Sequence, residues 1–326
     1  MNRTGCGARR WSLLAVAIAL GTLGCAGTTS AEPTPPEEQV PAGFTRHKES
    51  VNGVGIDYVI GGSGPTLVLL HGYPQTWHEW RHVMPRLAEQ YTVIAPSLRG
   101  AGGSDAPSTG YDKKTLAVDI HGLLSQIGHD KDIRLVGHDI GTMVAYAYAA
   151  AHPVDVHKLV LSEAPIPDPT IYAFPSLTPQ GPGAWHFGFF NLMNGFPEEL
   201  IVGKETIWVT KFIDALEVVK GSVTPDDIAV YAGYLSDPAH LRANLAWFRA
   251  LPEDMTDSAE SQQTLLPMPV LAVGADGSLG ASVGDQVKNY ASDVTVKVVT
   301  DSGHWIYEEH PDEMTRMLLE FFDDRR

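Results

Sequence analysis

The chain reads as an α/β fold, with a mostly parallel sheet, helices on both faces and a helical insertion. Three observations predict it. Short apolar runs of strand length alternate with helix-length stretches, the order that parallel β-α-β units require. The clearest run, Thr66–Leu70, is continuously apolar rather than alternating, which marks a strand buried on both faces. Residues 166–255 break the alternation: they are rich in aromatics, Pro and helical periodicity and contain no buried-strand run. At 326 residues the chain is long enough for one large α/β domain or two ordinary ones.

Taken in order, the N-terminus is a targeting segment. Arg3, Arg9 and Arg10 precede an apolar stretch from Trp11 to Leu23 and then small residues. This predicts an export signal over residues 1–31, too short to span a membrane and remain there. Thr29-Ser30-Ala31 offers a small-residue cleavage site, while Leu23-Gly24-Cys25 resembles a bacterial lipobox that would put a lipid anchor on Cys25. Both readings export the protein to the periplasm or beyond. Cys6 and Cys25 are the only cysteines, so cleavage after Ala31 leaves no disulfide, and stability must come from the core. Residues 32–43 are rich in Pro and Glu and read as an extended linker. No run of eighteen apolar residues predicts a transmembrane helix.

Strands are then expected at Ile56–Ile60, Thr66–Leu70, Tyr91–Ala95, Ile133–Val136, Leu159–Leu161, Val270–Val273 and Val294–Val299. The clearest helices are Thr115–Ile127, Gly141–Ala151 and Asp312–Phe322. The domain organisation follows: residues 44–165 and 256–326 form the core, and 166–255 a helical cap. Asp254, Asp257 and Glu260 read as a solvated helix face, and the aromatics Phe174, Phe187, Phe189, Phe190 and Phe196 as cap packing or an apolar pocket wall.

A net charge of −16 argues against nucleic acid, whose partners cluster Lys and Arg. The 13 histidines show no HExxH spacing, so no metal is expected. Leu98–Ser104 is Gly-rich but lacks the GxGxxG spacing and the P-loop lysine, so no nucleotide cofactor is expected either.

The most specific chemical signal is Gly137-His138-Asp139-Ile140-Gly141, where an apolar strand runs directly into an Ala-rich helix. Small residues on either side let the chain turn sharply and project Asp139 above the sheet edge. An aspartate there attacks an electrophilic sp3 carbon and forms an alkyl ester, which water must then hydrolyse. His304, after the last strand and before the last helix, is the candidate base. The backbone N–H groups of Ile140 and of Tyr73, in His71-Gly72-Tyr73-Pro74, are the candidate oxyanion donors. The histidine needs a carboxylate to fix its tautomer. Glu163 and Asp276 both stand at strand ends, and spacing does not choose between them.

HGYPQTWHEW (71–80), GHDIG (137–141), SEAPIPD (162–168) and SGHW (302–305) resemble the epoxide-hydrolase branch of the α/β-hydrolases, over roughly residues 44–323. The resemblance implies an α/β-hydrolase fold with a helical cap. It also implies a covalent route in which an epoxide opens on Asp139 and His304 activates water to give a vicinal diol. It favours Glu163 as the relay acid, with Asp276 as runner-up. It further implies two cap donors for the departing epoxide oxygen. His186, in Trp185-His186-Phe187, matches one of them. The tyrosine that should precede the cap arginine is replaced by Phe248, in Trp247-Phe248-Arg249. Tyr231, Tyr234 or the Trp247 indole are the substitutes on offer, and Trp185, Trp247 and Phe248 are expected to line the pocket. The partners implied are a small hydrophobic epoxide and water, and the oligomeric state is left open, a homodimer included. Two rival readings stand beside this one: a haloalkane-type dehalogenase using the same aspartate with Trp185 or Trp247 holding halide, and an exported binding protein impaired by Phe248.

Overall fold

The computed structural model describes residues 38–179 and 181–324. The expected export signal, its cleavage or lipid attachment and the first half of the linker lie outside them. An eight-stranded sheet forms the centre, in the order β1-β2-β4-β3-β5-β6-β9-β10. Its strands are β1 (Phe44–Val51), β2 (Val54–Gly62), β3 (Thr66–Leu70), β4 (Thr92–Pro96), β5 (Ile133–His138), β6 (Val156–Ser162), β9 (Val270–Ala275) and β10 (Val294–Val299). The pairings of β1 with β2 and of β2 with β4 are antiparallel, and the others are parallel. The two missing numbers, β7 (Leu177–Thr178) and β8 (Gly181–Pro182), are a small separate hairpin in the cap.

Every residue of β3, β5 and β9 is buried, as continuous apolar runs demand of strands covered on both faces. Strand β1 has no such run. Its sequence FTRHKESV is mostly polar and its middle is largely exposed, because it sits at the sheet edge and pairs on one side only. Edge position, not hydrophobicity, makes it a strand, and no apolar pattern announced it.

Helices α1 (Met84–Leu87), α2 (Lys113–Ile127) and α3 (Ile140–Ala151) belong to the core, and so do α10 (Ser282–Val287), α11 (Ile306–Glu309) and α12 (Pro311–Phe322). Asp112 caps α2 by accepting from Thr115 N at 2.7 Å, and Gly128 ends it in a left-handed conformation. Between β6 and β9 lie the cap helices α4 (Trp185–Phe190), α5 (Phe196–Ile201), α6 (Glu205–Leu216), α7 (Pro225–Leu235), α8 (Pro238–Arg249) and α9 (Leu251–Ser261). No helix among the described residues is long and apolar enough to cross a membrane.

Buried polar contacts join cap to core. Arg81 reaches Asp227 of α7 at 2.6 Å and Glu308 at 2.5 Å. Lys113 pairs with Asp254 at 2.7 Å. Asp254 is therefore buried, not part of a solvated face; its backbone-and-ammonium contact with the start of α2 is tertiary and leaves no local mark. Glu38, inside the expected linker, is also buried, between Thr76 and Tyr234. Burial raises its pKa despite Arg46 nearby, and this end of the linker is docked rather than free.

Candidate active site

The carboxyl ends of the parallel strands carry the site, the edge where open α/β sheets hold their ligands. Strands β5 and β6 pair His138 with Ser162, so Asp139 and Glu163 leave adjacent strands at one level. Asp139 has φ 50° and Glu163 φ 52°, left-handed conformations that cost non-glycine residues of order 1–3 kcal/mol and persist only where surroundings impose them. The flanking glycines of the Asp139 turn are required by close approach: a Cβ on Gly141 would collide with the Leu70 carbonyl, and one on Gly137 with the Gly141 carbonyl.

Three side chains converge. His304 Nδ1 lies 3.1 Å from Glu163 Oε2, and His304 Nε2 lies 3.7 Å from Asp139 Oδ2. The first distance is a hydrogen bond; the second is too long for one. Glu163 is held by the Ala275 N–H, which donates to its other oxygen at 2.6 Å. Tyr73 N–H donates to Asp139 Oδ1 at 2.7 Å. Ile140 N–H, the other expected donor, makes no hydrogen bond to Asp139 among the described residues. Asp276 turns away from the histidine and accepts from the N–H groups of Asp301 and Ser302 at 3.1 and 3.3 Å. It orders the turn before His304 rather than touching its ring.

A cavity of about 600 Å³ opens above Asp139. Its walls include Tyr73, His186, Phe187, Phe212, Phe248 and His304, and also Asp276 and Ser278. No arginine or lysine is among the described lining residues. The rings of Phe190, Phe212 and Phe248 pack around His186 at 5.2–5.9 Å. Burial in that apolar cage lowers its pKa to about 4, against the pull of Asp139, so at neutral pH it is an uncharged imidazole with one N–H to give. Arg249 clamps this wall by donating to the carbonyls of Phe190 and Leu192 and to Glu198.

Four expected pocket groups lie elsewhere. Trp247 is fully buried and its indole donates to the Arg99 carbonyl at 3.2 Å. Trp185 packs against Phe189 and Trp208 and is not among the lining residues. The Tyr231 hydroxyl meets Glu308 and Gln75, and Tyr234 donates to Glu38. Neighbours in sequence to Phe248 point to different sides of α8, so adjacency to the cap arginine did not translate into exposure to the cavity. Of the two rings at 247 and 248, only Phe248 faces it.

The sequence carried no hint of a buried pair directly beneath the site. His138 Nδ1 lies 2.8 Å from Glu79 Oε1, in contact but not aligned for a directed hydrogen bond, so charge dominates the interaction. Glu79 also accepts from the Gly72 N–H at 3.2 Å, and His138 Nε2 meets the His304 carbonyl at 2.9 Å. Burial disfavours the imidazolium, but Glu79 outweighs it and the pKa rises to about 9. A folded pKa above the ordinary 6.5 means that this stabilisation is complete below about pH 6.5 and is lost as pH rises through about 9. Denaturant titrations from pH 6 to 9.5 should show wild-type stability falling across that window. Glu79→Gln should cost about 3 kcal/mol at pH 6 and flatten the fall; an unchanged slope would show that the pair is not charged.

A strained aspartate at a strand-to-helix turn, facing a histidine after the last strand of a mostly parallel sheet, defines the class: the chain belongs to the α/β hydrolase fold family, whose model matches residues 65–311. Within it, the chain is epoxide-hydrolase-like. It is 34% identical over 289 residues to the soluble epoxide hydrolase of Corynebacterium sp. (strain C12), covering 86% of this chain and 97% of that one. A fluoroacetate dehalogenase of Burkholderia sp. is 29% identical over 295 residues, covering 87% and 95%. Among solved structures, Cfl2 of Burkholderia cenocepacia is 36% identical with a TM-score of 0.81, covering 89% of this chain and all of that one. The Cif epoxide hydrolase of Acinetobacter nosocomialis is 26% identical with a TM-score of 0.83, covering 87% and 90%.

Proposed function

We propose that the protein is an exported epoxide hydrolase that works through an alkyl ester on Asp139. The observation that carries this reading is the division of labour on that carboxylate: Oδ1 accepts the Tyr73 N–H, while Oδ2 faces His304. Oδ2 is then the nucleophile. It attacks a ring carbon, the carbon–oxygen bond of the epoxide breaks, and negative charge develops on the departing oxygen, where the neutral His186 donates a hydrogen bond.

In the second step Glu163 holds the Nδ1 proton, so Nε2 presents its lone pair to water. His304 takes a proton from that water as its oxygen adds to the Asp139 carbonyl carbon. The tetrahedral oxyanion forms on Oδ1, already under the Tyr73 N–H. Collapse breaks the bond to the ester oxygen, which takes the proton from His304. The water's second proton, left on the re-formed Asp139 carboxyl, passes to the alkoxide made in the first step, so that Asp139 is restored as carboxylate and a neutral vicinal diol is released.

The lining also bears on the rival chemistry. A haloacetate would bring its own carboxylate beside Asp139, and no lining cation stands ready to balance it. Among the described lining residues there is no tryptophan to take a halide: Trp185 packs outside the lining, Trp247 is engaged with Arg99 and Trp208 with Tyr73. A binding protein without catalysis would have no need to strain two carboxylate-bearing residues beside a histidine. The test is a panel of apolar epoxides, haloalkanes and fluoroacetate with the purified mature protein. Diol without halide is expected; halide release would overturn the reading in favour of a dehalogenase, and silence toward all substrates in favour of a binder.

A further inference from the structure

Phe248 leaves one unfilled role in the reaction proposed above: a second hydrogen bond to the oxygen that departs on ring opening. Among the described lining residues the one phenol is Tyr73, so far considered for its backbone N–H alone. Its ring is buried and stands edge-on to Phe212 and Phe248, with centroids 5.2 and 5.4 Å away. It shares Phe190, Phe212 and Phe248 as neighbours with His186. The Trp208 indole donates to the Tyr73 hydroxyl oxygen at 2.7 Å.

That contact fixes the direction of the hydroxyl. An indole N–H only donates, so the phenol oxygen is its acceptor and the phenol's own proton must point elsewhere. Among the described residues that proton makes no hydrogen bond beside the Trp208 contact. At the wall of the cavity, a phenol proton not used within the protein is available to a molecule bound there. Accepting from Trp208 also polarises the O–H and strengthens it as a donor. We propose that the Tyr73 hydroxyl donates to the epoxide oxygen during ring opening, beside His186, in the role that Phe248 cannot fill. One residue would then serve both steps: its side chain in alkylation and its N–H in ester hydrolysis.

The inference rests on the epoxide-hydrolase reading, and Tyr73→Phe isolates it, because the variant keeps the ring packing and the backbone N–H and deletes one oxygen. Rapid-quench alkylation followed by intact mass, on one epoxide, compares wild type, Tyr73→Phe, His186→Ala and Trp208→Phe. Tyr73→Phe and His186→Ala should each slow alkylation by about 10²–10³-fold, the usual loss for one donor to a developing oxyanion. Hydrolysis of the preformed ester should keep its wild-type rate in both. Trp208→Phe, which leaves the Tyr73 hydroxyl but not its polarising partner, should slow alkylation by less than about tenfold. Unchanged alkylation in Tyr73→Phe, with wild type turning over the same epoxide, would overturn the inference and leave the function intact. Equal losses in Tyr73→Phe and Trp208→Phe, spread over both steps, would overturn it in favour of a clamp that merely holds the cap. A wild type that opens no epoxide removes the underlying reading and the inference with it.

Discussion

His304→Gln protein given a good epoxide should stop after one turnover, with the substrate mass added to Asp139. Intact-mass spectrometry would show the shift, and peptide mapping would place it on the segment containing GHDIG. The geometry requires this separation. Alkylation needs Oδ2 and donors at the departing oxygen, neither of which His304 supplies at 3.7 Å from the carboxylate. Hydrolysis needs a base for the attacking water, and a positioned base contributes about 10²–10⁴-fold. Glutamine approximates the ring's volume but cannot take the proton. Recovery of unmodified protein, under conditions where wild type makes diol, would exclude the covalent route.

Glu163→Gln should lower turnover by about 10⁴-fold, the loss typical when a catalytic histidine trades its charged partner for an amide. The glutamine can present its N–H₂ to Nδ1, which favours the tautomer with its proton on Nε2, the wrong nitrogen for a base. It also leaves the imidazolium of the transition state without a counter-charge. Asp276→Asn should cost little turnover and chiefly loosen the turn at Asp301 and Ser302, whose N–H groups the carboxylate accepts. Steady-state kinetics on one substrate, with thermal melting as the folding check, distinguishes the two. A larger loss in Asp276→Asn would transfer the relay to that residue.

Much of this site was legible because its residues are bound to strand ends. A buried parallel strand must be apolar along its length, and the turn after it must be tight, so Thr66–Leu70 and Ile133–Val136 announced both strands and the loops that follow them. Asp139 and His304 could be named from that context, and Tyr73 followed from its strand. The polar edge strand β1 could not be found this way, since one-sided pairing makes no demand on hydrophobicity.

The choice between Glu163 and Asp276 was different in kind. Both follow apolar runs, and spacing alone left them equal, with only the family resemblance favouring Glu163. Strand register decides: pairing of His138 with Ser162 brings Glu163 level with Asp139, while Asp276, just past the Ala275–Val299 pair, donates its N–H to the Val299 carbonyl and enters the turn before the histidine. Cap residues were less legible still. Trp247 and Phe248 are adjacent letters, but a helix turns each to its own side, one onto the Arg99 carbonyl and the other onto the cavity.

By itself, then, the sequence determined the α/β class, the strand ends and the type of chemistry an aspartate at the strand-to-helix turn can do, because those depend on local periodicity and on residue type. Only the tertiary structure decided which acid meets His304, which carboxylate oxygen faces it, and which rings wall the cavity. It alone brought Glu79 to His138 and Trp208 to Tyr73, pairs separated by long stretches of chain and joined only when the core closes and the cap packs over it. Contacts of that kind depend on register and helix rotation across distant segments, and neither quantity is written in any short stretch of residues.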